Sequence, residues 1–465
     1  MRTEVENLVI GAGPAGYVCA IRLAQLNHEV VLIEKDKVGG VCLNRGCIPT
    51  KTLVYYTNII ENAQKLKEYG IEFSLSNLNW EKFIKHVESI PQRLRKGIEY
   101  LLKKNNVKLI TGEAEFVDPK NIIVKNNTES YYFTAKRVIV ATGSVNAHPS
   151  HIVPDGNRII TSDEALTLTK IPKSLIVIGG GVIGVEFASI YNKLGTKIVI
   201  IELQPQILPG TDKEIATVFT NCLKKQGIEV ICNAVVQKIT YHNENAVVLV
   251  KSNDKEYTFT AEKILVATGR KANLDNLNIT SLGIELTDNG FIKVDDNLKT
   301  NINEIYAIGD IIGPPLLAHK AMAQAVSLAE FIAQVISKPM VTTIPLCIYT
   351  DPEIALVGLS EAEAQRLNYD FEVAKVPLVA IGRAHTMNKI EGMAKLVVDK
   401  KSQVILGAQL ICPEASLLIN ELTLAINLNL PIDKIIELVH PHPTLSEVIS
   451  EAAALIRKKA IHVVN

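Results

Sequence analysis

Cys42 and Cys47, in Gly39-Gly-Val-Cys-Leu-Asn-Arg-Gly-Cys-Ile-Pro-Thr-Lys51, are the residues of this chain best suited to chemistry. Four residues separate them, and they lie directly behind a glycine-rich dinucleotide fingerprint. A disulfide across so short a loop restricts the unfolded chain little, because that entropic gain grows with loop length. The pair therefore reads as a redox couple that forms and breaks, with two unrelated buried thiols as the plain alternative.

The fingerprint occurs twice. Leu8-Val-Ile-Gly-Ala-Gly-Pro-Ala-Gly16 is echoed by Ile176-Val-Ile-Gly-Gly-Gly-Val-Ile-Gly184. Each copy predicts an apolar strand, a GxGxxG turn, an apolar-periodic helix and a second strand (Val30–Ile33 and Ile198–Ile201). Glu34 and Glu202 end those second strands, each 23 residues after the first glycine of its motif. Gly11 and Gly179 permit the tight turn, Gly13 and Gly181 let a pyrophosphate reach the backbone, and Gly16 and Gly184 let helix and strand pack closely. The helix N-terminus points unpaired N–H groups at the phosphates, and the glutamate accepts from ribose hydroxyls. One such motif is weak; two complete copies are strong.

A second pair of echoes, Ala141-Thr-Gly-Ser144 and Ala267-Thr-Gly-Arg270, follows the apolar strands Arg137–Val140 and Lys263–Val266. They read as crossings of the chain out of a nucleotide-binding domain. The second copy is thus inserted into the first domain, which resumes through Ile305-Tyr-Ala-Ile-Gly-Asp310. A helix-rich stretch (52–104) and a strand-rich one (107–133) lie between Glu34 and Ala141. From about 342 the pattern changes to strands and helices without a glycine fingerprint, after a linker between Pro339 and Pro345.

Bulk properties bound the rest. A chain of 465 residues is too long for one core and predicts about three domains. Lys+Arg and Asp+Glu balance at 49 each, so nothing argues for capture of nucleic acid or an anionic membrane. No apolar run approaches a membrane span, no targeting segment is read before the first strand at about Leu8, and no metal site is expected. The other cysteines (Cys19, Cys222, Cys232, Cys347, Cys412) are scattered singly, as suits a reducing cytoplasm.

The order GAGPAG, GGVCLNRGCIPTK, GGGVIG, AIGD and HPHPTLSE, from Leu8 to Glu451, resembles the flavoprotein disulfide reductases, and within them the dihydrolipoamide dehydrogenase family. The CxxxxC stretch and His440-Pro-His-Pro-Thr-Leu-Ser-Glu447 discriminate. The resemblance implies an α/β fold class: two Rossmann-like dinucleotide-binding domains, for FAD (1–150 and 271–340) and, inserted, for NAD (151–270), plus a C-terminal α+β dimerisation domain (342–465). It makes Cys42 the thiol that exchanges with substrate and Cys47 the thiol against the flavin. Pro49 suits a first helical turn, so Cys47 should lie near a helix N-terminus that favours a thiolate, with Cys42 before that helix. Lys51 follows Cys47 by four residues on the same face; the resemblance has it stabilise reduced flavin, paired with Glu186.

An imidazole titrates near neutral pH and suits proton removal from an attacking thiol. By resemblance His442 is that base and Glu447 orients it, while His440 is a packing neighbour. The resemblance places FAD on Gly11, Gly13, Gly16, Glu34, Lys51, Ala114, Thr142, Gly143, Ser144, Asp310, Leu316, Leu317, Ala318 and His319. The alternative reading has Asp310 cap the helix starting near Ala318 or shape its loop. NAD falls on Gly179, Gly181, Gly184, Glu186, Glu202, Val236 and Gly269. Glu202 repels a 2′-phosphate and no arginine follows in Leu203-Gln-Pro-Gln206, so NAD is favoured over NADP.

The implied activity is NAD-dependent oxidation of protein-bound dihydrolipoamide, by a homodimer in which His442 serves the other subunit's cysteines. The implied partner is a lipoylated acyltransferase or lipoyl carrier of a 2-oxo acid dehydrogenase or glycine cleavage complex. No lipoyl domain is read before Leu8, so the carrier must come from another protein. NADP-dependent glutathione reductases and mercuric reductases, whose terminal motifs differ, fit less well. A disulfide reductase of another substrate and a non-catalytic flavoprotein scaffold are the rivals. Arg45 and Thr50 stand where many relatives have valine and serine. Thr50 keeps the hydroxyl; Arg45 sets a charge between the cysteines, either lowering thiol pKa values or meeting an acidic partner.

Overall fold

A computed structural model describes residues 2–72, 77–253, 255–340 and 343–465. It forms two compact units: Met1–Thr52, Asn79–Ala147 and Gly269–Val341 make one, and Leu53–Leu78, His148–Thr268 and Thr342–Asn465 the other. The linker expected between Pro339 and Pro345 lies partly outside the described residues, since 341 and 342 are not among them.

The chain opens with β1 (Arg2–Ile10), α1 (Pro14–Gln25), β2 (Val30–Glu34), a short α2 (Gly40–Arg45) and α3 (Cys47–Lys65). Then come α4 (Trp80–Lys104), β3 (Lys108–Thr111), β4 (Glu113–Phe116), β5 (Asn121–Lys125), β6 (Ser130–Val140) and β7 (Ser144–Asn146). The first sheet has the order β3-β2-β1-β6-β5-β4. Its centre is parallel, β1 lying between β2 and β6, so β1 is buried on both faces. Val9 enters one core cluster with Cys19, Leu23 and Ile139, while Leu8 and Ile10 enter another with Val31, Ile33 and Val140.

The second stretch carries β8 (Ile159–Ile160), α5 (Ser162–Ala165), β9 (Ser174–Ile178), α6 (Val182–Lys193), β10 (Lys197–Ile201), α7 (Lys213–Lys225) and β11 (Glu229–Ile231). An antiparallel trio, β12 (Ala234–His242), β13 (Asn245–Ser252) and β14 (Lys255–Ala261), precedes β15 (Lys263–Val266). The parallel sheet here runs β11-β10-β9-β15-β8. Its apolar face shares a core with the antiparallel trio through Ile176, Ile264, Val248 and Val250.

The chain re-enters the first unit through β16 (Arg270–Ala272), which pairs with β7. There β17 (Ile305–Ala307) adds to the C-terminal half of β6, and α8 (Ala318–Ile332) follows. The terminal segment builds a five-stranded antiparallel sheet from β18 (Leu346–Ile348), β19 (Glu353–Gly358), β20 (Phe371–Pro377), β21 (Met393–Asp399) and β22 (Ile405–Cys412) in the order β18-β19-β22-β21-β20. A short α9 (Glu361–Arg366) and α10 (Gly382–Thr386) lie between its strands, and α11 (Ala415–Asn427), α12 (Ile432–Glu437) and α13 (Glu447–Ile456) supply Ile419, Ile435 and Ile449 to its core.

One sequence expectation changes: the first strand begins at Arg2 rather than near Leu8, because Arg2–Val5 pairs with Tyr132–Ala135 of β6 even though Thr3 and Glu4 are polar. Cys42 lies before α3 as expected, in a short helix of its own, α2. Gly39, at a left-handed φ of 93°, starts this helix and Gly46 separates it from α3. Among the described residues, no helix is long and apolar enough to cross a membrane.

One charge cluster ties the terminal sheet to α7 inside the second unit. Lys395, 1% exposed on β21, meets Asp212 at 2.8 Å, Glu361 at 2.6 Å and Glu214 at 3.2 Å. Lys375 also donates to Glu214, and that hydrogen bond, ahead of the one from Lys395, pulls the Glu214 carboxyl down to about 2. A lowered folded-state pKa contributes stability above the unfolded value, here 4.5, which is lost as pH falls toward about 2. Lys375→Met should therefore raise the pH of acid unfolding in far-UV circular dichroism, with a cost at neutral pH of no more than about 1 kcal/mol for so exposed a pair. Lys395→Met should cost about 3–5 kcal/mol, because it leaves the buried Asp212 carboxylate without its ion pair. An unchanged acid transition in Lys375→Met would contradict this account.

Candidate functional site

The two glycine turns superpose in their bonding pattern. Gly11 N–H donates to Ile33 O and Ala141 N–H to Ile10 O, both at 2.8 Å; Gly179 to Ile201 and Ala267 to Ile178 repeat those distances. A Cβ on Gly11 would stand 2.5 Å from Ala141 O, and one on Gly16 1.7 Å from Gly11 O. The corresponding distances at Gly179 and Gly184 are 2.4 and 1.9 Å. First and third glycines are thus required by the fold itself. The middle ones are not: a Cβ on Gly13 meets nothing nearer than 3.8 Å, and one on Gly181 nothing within 4 Å. Their bareness serves something lying over the turn, and α1 and α6 begin there without a side-chain cap. Those free N–H groups and that clearance fit a dinucleotide pyrophosphate in each unit.

The two glutamates behave alike. Glu34 accepts from Ala12 N at 2.7 Å and Asp36 N at 2.9 Å; Glu202 accepts from Gly180 N at 2.5 Å and Gln204 N at 2.7 Å. Each carboxylate is locked beside its turn with lone pairs left for hydroxyl donors. Glu202 is buried, so a second anion beside it would be costly.

Cys42 and Cys47 are both partly buried. The Cys42 thiol is hydrogen-bonded to Cys47, and this contact, together with burial, pushes it far above the ordinary thiol range. Part of that push is the negative charge of Cys47, which Lys51 only partly opposes. Cys47 is the opening residue of α3, where a helix N-terminus favours a thiolate. Pro49 and Lys51 lie in the same first turns.

Asn44 holds α2 in place. Its amide donates to Gly40 O at 2.9 Å and Val38 O at 3.0 Å, and its carbonyl accepts from Arg95 of α4 at 2.7 Å. Arg45 pairs with Asp36 at 3.2 Å, so it meets an acidic partner on its own chain. Neither Asn44 nor Arg95 stands out in the sequence, because only the fold brings α4 to α2.

Asp310 does not cap α8, whose N-cap Leu317 has no side-chain bond. Instead it accepts from Ser144 Oγ at 2.6 Å. Arg270 donates to Ser144 Oγ at 2.7 Å, Ser144 O at 2.6 Å and Asn146 at 2.9 Å. The two crossing motifs are thereby clamped together, with Thr142 Oγ donating to Asn273 O. Gly143 takes a left-handed φ of 71°. Leu316 precedes α8, Ala318 and His319 open it, and Ala114 is buried on β4.

In the second unit Glu186 is buried on α6 and accepts from Tyr349 N at 2.9 Å. Val236 lies at a β-bulge, its carbonyl facing His151 Nε2 at 3.2 Å. Gly269, with φ 124°, is the first residue of the segment returning to the first unit. The loop between α12 and α13 presents His442, whose ring is 76% exposed while Nδ1 is held by Glu447 at 2.9 Å. Burial would raise the Glu447 carboxyl, but the bonds from His442 and Thr444 N–H outweigh it and hold it low. Among the described residues no group of three His, Cys or carboxylates stands ready for a metal ion.

The profile of the pyridine nucleotide-disulphide oxidoreductases matches residues 6–325, and that of their dimerisation domain residues 344–453. The chain belongs to this family. A dihydrolipoyl dehydrogenase of Geobacillus stearothermophilus is 41% identical over 99% of this chain and 98% of its own length. One from Bacillus subtilis is 39% identical over the same shares. Among solved structures, the flavoprotein disulfide reductase RclA of Escherichia coli, in its Cu(II) complex, has a TM-score of 0.86 at 28% identity, covering 98% of this chain and all of that one. LpdA of Mycobacterium tuberculosis has 0.89 at 26%, covering 97% and 100%. The α/β fold read from the sequence is the fold of this family.

Asn44→Ala deletes the bonds that hold α2, at a cost of about 1–3 kcal/mol. Opening eased by about 1.4 kcal/mol is tenfold more populated. Alkylation of Cys42 by iodoacetamide in the reduced variant should accelerate by about that factor, read by mass spectrometry. A wild-type rate would mean that Asn44 does not restrain Cys42.

Proposed function

We propose that this chain is a dihydrolipoyl dehydrogenase, which oxidises a dihydrolipoyl group carried by another protein and reduces NAD+. The observation that carries this reading is the hydrogen-bonded Cys42–Cys47 pair, with Cys47 at the start of α3, in the unit that also holds a dinucleotide turn. Full-length similarity at 41% and 39% to dihydrolipoyl dehydrogenases supports the substrate class over other disulfides.

FAD is the cofactor of the first unit, held by Gly11, Gly13, Gly16, Glu34, Ala114, Thr142, Gly143, Ser144, Asp310 and the opening of α8 from Leu316 to His319. NAD is held by Gly179, Gly181, Gly184, Glu186, Glu202, Val236 and Gly269. A bound flavin would supply two-electron chemistry between the dithiol and the nicotinamide. Lys51, in the first turns of α3, supplies positive charge for the reduced flavin.

The chain's own residues carry the sulfur chemistry. One thiolate of the carrier attacks Sγ of Cys42 in the disulfide form, and Cys47 leaves as a thiolate stabilised by α3. The carrier's second thiol attacks the mixed disulfide, closing the lipoyl ring and releasing Cys42. His442 of the partner subunit accepts the proton of the attacking thiol at Nε2, while Glu447 fixes the tautomer through Nδ1 and stabilises the charged ring. The functional unit is accordingly a homodimer formed through the terminal domain. The carrier is a lipoylated acyltransferase or a lipoyl protein of a 2-oxo acid dehydrogenase or glycine cleavage complex, acting in the cytoplasm.

Cys42→Ser should abolish dihydrolipoamide-dependent NADH formation while FAD stays bound, followed at 340 nm and by the flavin spectrum; full lipoamide turnover would defeat the assignment. His442→Ala should lower that turnover by at least about 10²-fold. An unchanged rate would remove His442 from the role of base.

A further inference from the structure

The turn that carries Asp310 is held at both ends by side chains of α8. Lys320 and Gln324, one helical turn apart, are 6% and 5% exposed, an unusual setting for a lysine and a glutamine. Gln324 Oε1 accepts from Gly309 N–H at 3.0 Å, and Lys320 Nζ donates to Gly313 O at 2.6 Å. Between these anchors runs a single tight turn, Gly309–Ile312, closed by Gly313 N–H donating to Asp310 O at 3.1 Å. Gly309 takes a left-handed φ of 81°. A Cβ on it would stand 3.0 Å from Cβ of Ala15 on α1 and 3.4 Å from that of Ala321 on α8. Asp310 therefore emerges from a wedge between two helices, its main chain pinned one residue before it and three after. Burial pushes the Lys320 ammonium below its ordinary value, and the charge of Asp310 opposes that push.

We propose that Lys320 and Gln324 are positioning residues for the cofactor: they grip the main chain on either side of Asp310 and so aim its carboxylate. This deepens the reading of the first unit as the FAD site and rests on Asp310 as a contact of that cofactor. Burying an ammonium and an amide costs free energy unless each finds a partner. Here both partners are main-chain atoms of this one turn. Ser144 Oγ fixes the carboxylate from the side chain's end, donating to Oδ2 at 2.6 Å. A ribityl hydroxyl would donate to the same carboxylate, and a hydrogen bond weakens steeply as its angle departs from linearity. A turn free to rotate would have to be ordered when the cofactor binds; a held turn is ordered already.

Gln324→Met leaves Gly309 N–H without its acceptor, and Lys320→Met leaves the Gly313 carbonyl without its donor. Each loss frees the turn at one end, and the cofactor should leave about tenfold faster. A residue that acts through another has little further effect once that other is gone, whereas independent sites add. Coupling to Asp310 therefore separates positioning from ordinary packing.

The test dilutes the FAD-loaded protein into flavin-free buffer and reads released flavin by absorbance after ultrafiltration. Wild type, Gln324→Met, Lys320→Met, Asp310→Ala and the two double variants are compared, with melting by circular dichroism as a check on folding. The expected result is release about tenfold faster in each methionine variant, and a further change of no more than about twofold when either methionine is added to Asp310→Ala. A larger further change in that background, or a wild-type rate in either methionine variant, overturns the clamp while the FAD reading stands. A wild-type rate in Asp310→Ala removes that carboxylate as an FAD contact, and the proposal falls with it. Should Asp310→Ala not retain FAD, Asp310→Asn, of the same size, takes its place as the background under the same criteria.

Discussion

Everything in the first unit depends on the close approach at the end of β1. The Gly11 turn lies so near Ala141, and the start of α1 so near Gly11, that neither Gly11 nor Gly16 has room for a methyl group. That approach brings the uncapped start of α1, the Glu34 carboxylate and the exit of β6 to one crevice. The crossing strands of the parallel sheet leave such a crevice where strand order reverses. The second unit repeats the constraint at Gly179 and Gly184 with distances within about 0.2 Å of the first.

Around that crevice, charge is placed by partners rather than by residue type alone. The two thiols have the same intrinsic chemistry, and the fold distinguishes them. Cys47 opens a helix, whereas Cys42 donates toward it from a six-residue helix pinned by Asn44. The two histidines of the terminal loop are separated in the same manner. One is enclosed between two acceptors; the other is bound at a single nitrogen and exposed.

Asp310 shows how a single clamp can join distant parts of a chain. Ser144 and Arg270 come from the two points where the chain passes between the units, and their mutual bonds end on Asp310. The ribbon of β7 and β16 supplies the register that makes this possible. A flexible pair of crossing strands would leave the carboxylate without a defined direction.

Much of this was legible in the sequence. The repeated GxGxxG turns, the acidic residues 23 positions on, the paired crossing motifs and the close cysteines are local patterns, fixed by steric needs over a few residues, and they announced the fold and the chemistry. The start of β1 was not legible, because residues 2–6 hold a single apolar side chain, Val5, and gain their strand form from pairing with β6. Nor was α2, whose short helix depends on Gly39 and Asn44. What Asn44 and Asp310 bond, and which histidine of the terminal loop is enclosed between two acceptors, were decided only by tertiary structure. Hydrogen-bond partners and burial come from segments far apart in the chain, and those two quantities, more than residue identity, determine where charge resides.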